Sequence, residues 1–501
     1  MRSVYTNMKE KLILLIKKYR ITLIFLVANL CFYGMFIVKH YAPDTYFTEA
    51  LGWEVTAEQY WQNGRWLMTA LAKICGFLHI GFTLEQLISW GMAVVSISLA
   101  SAVFYNILRE RGGGEISLKK NIWIAVISFM MISNVFLVEY FIFAEYSGIM
   151  CLGLLLTVLS ARYILKALET GDKKFYFVGI LLGILGINGH QGNFAILVVI
   201  AVICARDTLS SVRKFFVNNL VIGSAYLIPA LCSMVETRIG GAGRAAQGGI
   251  DIAASFIKST EGLERLLITG ASFMPYGTYL FFIVLVALYF IWSVIRKKSL
   301  KSLAYLIYYI VIMLCGIYAP LMVTAYDYID VVPRTVYILG GVIPVFLTAM
   351  LLHMDISLEK RIVLPVCIAG FLFVQYYGVM ELITDHYKTN LLDKYEAQFV
   401  GARIWDYEEE TGVTVTKMAL YWDANVTGYA PDVHMFGAVN ERVMSNEWAA
   451  PLAIRCLDGH QVEQTDPSDE VYQQYFEGKD WLHIKDEQIV IIGDTLHLCA
   501  Y

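Results

Sequence analysis

The chain has 501 residues, 57% of them hydrophobic and only 16% charged, against about 25% charged in soluble proteins. That balance excludes an ordinary soluble globular protein. The net charge of −4, with no basic array interleaved with aromatics, argues against nucleic acid as a partner. Uncharged apolar runs recur through the first three quarters, several of them near the roughly 20 residues a helix needs to cross a bilayer, so the lipid bilayer is the expected partner.

In chain order the apolar runs cover 21–38, 84–108, 122–138, 146–165, 175–187, 193–205, 216–234, 279–295, 303–323, 337–352 and 362–383. The expected fold class is an all-α polytopic membrane protein of about 11 transmembrane or partial helices, spanning 1–384, followed by a small α/β domain over 385–501. No small-residue cleavage site follows the first run, which reads as a retained span. Arg2, Lys9, Lys11, Lys17, Lys18 and Arg20 precede it, and every second loop after it is basic, down to Lys360 and Arg361. Lysine and arginine collect in cytoplasmic loops, so the N-terminus is expected in the cytoplasm and the C-terminus outside.

The runs at 175–187 and 193–205 are too short to cross at 1.5 Å per residue, and "GINGHQGN" lies between them. Polar groups there are tolerated in a membrane only against protein or a water-filled cavity. The pair is expected to enter from the cytoplasm and turn back as the floor of a cavity open to the outside. The plainer reading is a tight helical hairpin with its turn at the outer surface.

The remaining loops pool on the outer face. Between 39 and 83, Asp44 stands on a Pro-Asp turn, and "AEQYWQNGRWLMTALAKICGFL" repeats its apolar positions at helical spacing. That stretch reads as an amphipathic helix on the leaflet, with a bend at Gly64 that turns Arg65 toward a partner. "VEYFIFAEYS" adds Glu139 and Glu145; a Gly-rich loop adds Arg238 and Arg244; "AYDYIDVVPRTVY" adds Asp327, Asp330 and Arg334. Arginines that grip a phosphate and a carboxylate that takes a hydroxyl proton are what group transfer from a lipid phosphate requires. Each residue also has a plainer reading: solvated carboxylates, Arg65 snorkelling to headgroups, hydrated loop arginines, and His190 and Gln191 bonded within a helix pair. No zinc-type Cys or His spacing occurs, and no cofactor or metal is expected; "DYID" alone is slight support for a divalent ion.

Asp44 after the first span, "NGRWLMTALAKI" and "NGHQGNFA" together resemble the bacterial O-antigen (serotype-converting) glucosyltransferase family, of the GT-C glycosyltransferase superfamily. The resemblance covers roughly residues 20–380. It implies a membrane enzyme that takes glucose from undecaprenyl-phosphate-glucose, a polyprenyl-phosphate-sugar donor, and attaches it to a surface glycan acceptor at the outer face of the bacterial cell membrane. It implies Asp44 as the catalytic acidic residue, with Gly64 and Arg65 matching the Gly-Arg of the motif. His190 departs from it, standing where an aromatic residue is expected. A carrier of lipid-linked sugars is the alternative; it would favour repeated halves and ionisable groups near the midplane, and no repeat is evident.

In the tail, "LLDKYEAQFVGARIWDYEEETG" reads as a helix of its own and "NEWAAPLAIRCLDG" as a short one. "VTVTKMALYW" reads as a strand and "EQIVIIGDTLHLCAY" as a hairpin about Gly493 and Asp494. Trp405, Trp422 and Trp448 are expected in its core, or else as stacking platforms for a glycan. Cys456 and Cys499 could pair in an oxidising exterior.

Overall fold

Apolar composition makes helices here, because a helix satisfies its own backbone where water is absent. The computed structural model describes residues 2–112, 117–240, 251–269, 277–296, 299–322, 329, 331–353, 363–422, 433–479, 481 and 484–500. Its helices are α1 (Arg2–Tyr33), α2 (Pro43–Gln62), α3 (Trp66–Phe77), α4 (Phe82–Arg111), α5 (Leu118–Ile132), α6 (Val138–Ile142), α7 (Ser147–Thr170), α8 (Lys173–Gly189), α9 (Val198–Thr208), α10 (Val212–Gly240), α11 (Ile252–Glu264), α12 (Thr278–Arg296), α13 (Leu300–Met322), α14 (Val342–His353), α15 (Val363–Thr411) and, in the tail, α16 (Ala450–Leu457). Among the described residues nine helical stretches are long and apolar enough to cross a membrane, and the chain is an all-α polytopic membrane protein with a small sheet at its C-terminal end.

Two expected runs break inside the protein. The run at 122–138 stops at Ser133, turns through Val135–Leu137 and resumes as α6. The freed backbone is met by buried side chains: the Val135 amide donates to Gln375 Oε1 at 2.8 Å, the Phe136 amide to Asn134 Oδ1 at 3.1 Å, and Tyr33 donates to the Asn134 carbonyl at 2.8 Å. The second break is the polar stretch read from sequence. Helix α8 ends at Gly189, His190 is extended, and a 3₁₀ turn, Gln191–Leu197, leads into α9. His190 and Asn193 are buried within protein.

The stretch after the first span is two helices. Gly64, at φ +68°, makes the expected bend between α2 and α3. A second interruption, at Gly52, was not read from the sequence. The basic ends of the long helices meet at one end of the bundle, where Arg111 pairs with Glu169 at 2.5 Å and Arg162 with Glu110 at 2.8 Å. Glu145 and Tyr146 precede the opposite end of α7, whose 24 residues span about 36 Å.

Helix α15 runs 49 residues without interruption, so the tail's first helix continues the last apolar run rather than standing apart. Beyond it, β1 (Lys417–Trp422), β2 (Glu463–Gln464), β3 (Ile489–Ile492) and β4 (Thr495–Ala500) form a sheet of order β2-β1-β4-β3, with β3 and β4 antiparallel about Gly493 and Asp494 as read. Strand alternation covers both faces: Met418 and Leu420 pack with Ala397, Val400 and Ile404 of α15, while Ala419 and Tyr421 pack with Phe476 and Trp481. Two tail readings are corrected. Trp405, Trp422 and Trp448 are exposed rather than core; the core tryptophan is Trp481. Cys456 and Cys499 are free thiols in different clusters, one beside α2 and one under Trp481, and do not pair.

The second break requires a residue without a side chain at 192, because a Cβ there would fall on the Arg334 carbonyl oxygen. Gly192→Ala is expected to cost about 1–3 kcal/mol of stability by overpacking. Gly223→Ala, where an added Cβ meets nothing within 4 Å, is the control. Thermal unfolding of the two variants in detergent checks this.

Candidate functional site

The site begins where α2 starts. Pro43, with φ preset, occupies the first turn, and Asp44 follows it, where the helix dipole favours a negative charge. Thr45 accepts from the Ala42 amide at 3.0 Å and donates its hydroxyl proton to Glu145 Oε2 at 2.8 Å. The start of α2 is thereby tied to the turn between α6 and α7. The other oxygen of Glu145 is buried without a hydrogen-bond partner. Burial, then the neighbouring Asp44 carboxyl, pushes Glu145 up to about 8, so at neutral pH it holds its proton.

Two tyrosines floor this corner. Tyr60 of α2 meets Tyr146 edge-on, with ring centroids 5.5 Å apart. Burial raises the Tyr146 phenol, Asp44 and Glu145 raise it further, and Arg65 and Arg334 pull it down. Four ionisable groups, Asp44, Glu145, Arg65 and Arg334, therefore act on one ring. Arg65 occupies the turn that Gly64 makes, and its Nε is buried with no hydrogen-bond partner. Arg334 lies over the Phe143 ring at 5.2 Å. Its guanidinium pairs with Glu139, which is fully buried, and its own amide donates to Glu139 Oε2 at 2.5 Å.

The polar break closes the far side. The Gly192 amide donates to His190 Nδ1 at 3.0 Å, which places the ring proton of a neutral His190 on Nε2. The ring lies 5.3 Å from that of Tyr140, close enough to Arg65 and Arg334 to feel both charges. Tyr140 donates to Asn193 Oδ1 at 2.9 Å, and the Trp66 amide donates to Asn188 Oδ1 at 3.2 Å.

Of the residues singled out from sequence, Asp44, Arg65, Glu139, Glu145, His190 and Arg334 are thus brought together. Gln191 is half-buried at the start of the 3₁₀ turn and makes no side-chain hydrogen bond among the described residues. Arg238 is exposed on the last turn of α10. Arg244, Asp327 and Asp330 lie outside the described residues. Thr45, Tyr60, Tyr146 and Asn188 were missed; the tyrosines read as apolar helix positions, and only their neighbours across the fold give them a role.

Residues 32–347 match the family described as "Glucosyl transferase GtrII". The chain belongs to this family. The match begins in the last turn of α1 and ends in α14, so it takes in the whole cluster from Asp44 to Arg334 and stops short of α15 and the sheet. Membership makes the protein a glycosyltransferase, in keeping with the resemblance carried by Asp44, Gly64 and Arg65. No curated protein matches the chain.

Two outcomes are expected. Arg334→Met removes the guanidinium from a fully buried carboxylate and is expected to cost about 3–5 kcal/mol, much of it recovered in the Glu139→Gln Arg334→Met double variant, as measured by thermal or denaturant unfolding. For Glu145 the folded carboxyl titrates near 8 and the unfolded one near its ordinary 4.5. Between those pH values the unfolded chain releases a proton that the folded chain keeps, so stability falls as pH rises across the window. Glu145→Gln is expected to flatten that slope, and melting temperatures of both proteins across the window test it.

Proposed function

We propose that the chain transfers glucose from a polyprenyl-phosphate-glucose donor, of the undecaprenyl type, to a hydroxyl of a surface glycan at the outer face of a bacterial cell membrane. The observation that carries this reading is the convergence on Tyr146 of Asp44, Glu145, Arg65 and Arg334, with Arg65 Nε and Glu145 Oε1 left without hydrogen-bond partners. A buried guanidinium nitrogen with no partner suits a phosphate oxygen. A carboxylate in the same cluster suits a hydroxyl proton.

In this reading Asp44 takes the proton from the acceptor hydroxyl as its oxygen bonds to the anomeric carbon. The bond from that carbon to the phosphate oxygen breaks, and the electron pair leaves with the phosphate, whose charge Arg65 meets with Arg334 beside it. Protonated Glu145 does not compete with Asp44 as a base and can donate a hydrogen bond to donor or acceptor. Glu139 holds Arg334, and His190 offers its Nε2 proton to a sugar hydroxyl. Phosphate leaves readily, so no strong acid opposite the base is needed. Exposed Arg238 and half-buried Gln191, with Arg244 and Asp327, are proposed contacts for the donor headgroup. Residues 1–384 form the transfer domain and 385–501 an external α/β domain. The N-terminus lies in the cytoplasm, because the basic helix ends gather away from the cluster. The same placement disfavours a carrier, whose ionisable groups belong near the midplane.

The test incubates purified protein with undecaprenyl-phosphate-glucose and a glycan acceptor and follows release of undecaprenyl phosphate. Asp44→Asn is expected to lower kcat by about a hundredfold or more, and Arg65→Ala chiefly to raise KM for the donor. Wild-type turnover by Asp44→Asn would remove Asp44 from the chemistry. Absence of turnover with any polyprenyl-phosphate sugar would remove the donor class.

A further inference from the structure

Away from this cluster, α15 is fastened to the segment 433–446 at two places with unequal chemistry. At the first, Arg442 donates to Asp393 at 2.7 Å and to Glu396 at 2.6 Å, so two buried carboxyls share one guanidinium. At the second, two helical turns earlier, Glu381 and Asp385 lie four residues apart on one face, and their only basic partner among the described residues is His434. Asp385 is buried, and two carboxylates at this spacing repel one another. The first fastening sets a guanidinium against its two carboxyls, and the second has only an imidazole.

The geometry points to what completes it. We propose that Glu381, Asp385 and His434 hold one divalent cation of the first transition row, such as Zn²⁺, which clamps segment 433–446 to α15. One ligand atom from each of the three lies within 4.8 Å of the other two. His434 Nδ1 is 2.8 Å from Asp385 Oδ2, and a small opening brings the pair to the ~3.4 Å that separates tetrahedral ligands at about 2.1 Å from one cation. The His434 amide also donates to Asp385 Oδ2 at 2.8 Å, orienting the carboxylate. Asn440, itself buried, donates to the carbonyls of both His434 and Leu382, pinning the histidine's segment to the helical turn that carries the carboxyls. A donor set of one nitrogen and carboxylate oxygens suits zinc or manganese better than calcium, which takes oxygen alone.

The ion is structural rather than catalytic in this proposal. Segment 433–446 packs Phe436 edge-on against Phe136, with centroids 5.2 Å apart, and lays Gly437 on Val332 and Pro333, next to Arg334. Holding that segment down holds the arginine's backbone in place.

The test uses the full-length protein in detergent, stripped with chelator, incubated with Zn²⁺ and dialysed. Metal content by mass spectrometry is expected to be about one zinc per chain, with a higher melting temperature than the stripped protein. Asp385→Asn, nearly isosteric, and His434→Gln are each expected to lower zinc affinity at least tenfold and to abolish the added thermal stability. Glucosyl transfer plays no part in either readout, so the result stands apart from the proposed reaction. Wild-type protein that retains no zinc, or variants that retain as much as wild type, would overturn the site.

Discussion

Breaking a helix inside an apolar body frees backbone groups that neither water nor lipid can satisfy, and the rest of this structure answers that constraint. At Ser133 and Asn134 the answer comes from Gln375, Tyr33 and Asn134 itself; at His190 it comes from the imidazole and Asn193. The two breaks leave α6 and the 3₁₀ turn side by side, joined by Tyr140 and Asn193. Glu139 sits on the first of these short pieces, and its ion pair with Arg334 draws in the segment before α14. Irregular backbone, costly where it lies, is what lets charged groups gather among spans.

Two chemically similar carboxyls stand at one corner in unlike surroundings. Asp44 stands at a helix start, where negative charge is favoured, and Glu145 is enclosed, with Thr45 as its donor. Environment rather than residue type separates them. The same logic distinguishes Arg65, whose Nε has no protein partner, from Arg334, which is committed to Glu139.

Much of this was legible in the sequence because it rests on local pattern. Apolar runs marked the spans, Gly64 marked a bend, and "GINGHQGN" marked a break, since each states a backbone or solvent requirement within a few residues. What was not legible depends on partners far along the chain: Thr45 with Glu145 at a separation of 100, Glu139 with Arg334 at 195, and Asp385 with His434 at 49. The long helix α15 was divided because its composition turns polar near residue 385. That change records a new solvent, not a new backbone, and the helix continues through it. The tryptophans were misplaced for a related reason: an aromatic in a small domain reads as core unless its neighbours are known, and Trp481 had already filled that place.

The same α15 leaves the apolar region with 28 residues still to run, from Thr384 to Thr411, about 40 Å of unbroken helix. On the way it grips the linker ahead of Asp44, through Asn390 on the Tyr41 backbone and Tyr387 on the Met35 carbonyl. It then becomes one wall of the sheet's core. A single stiff rod therefore acts as a ruler, setting the standoff of the sheet from the corner at Asp44.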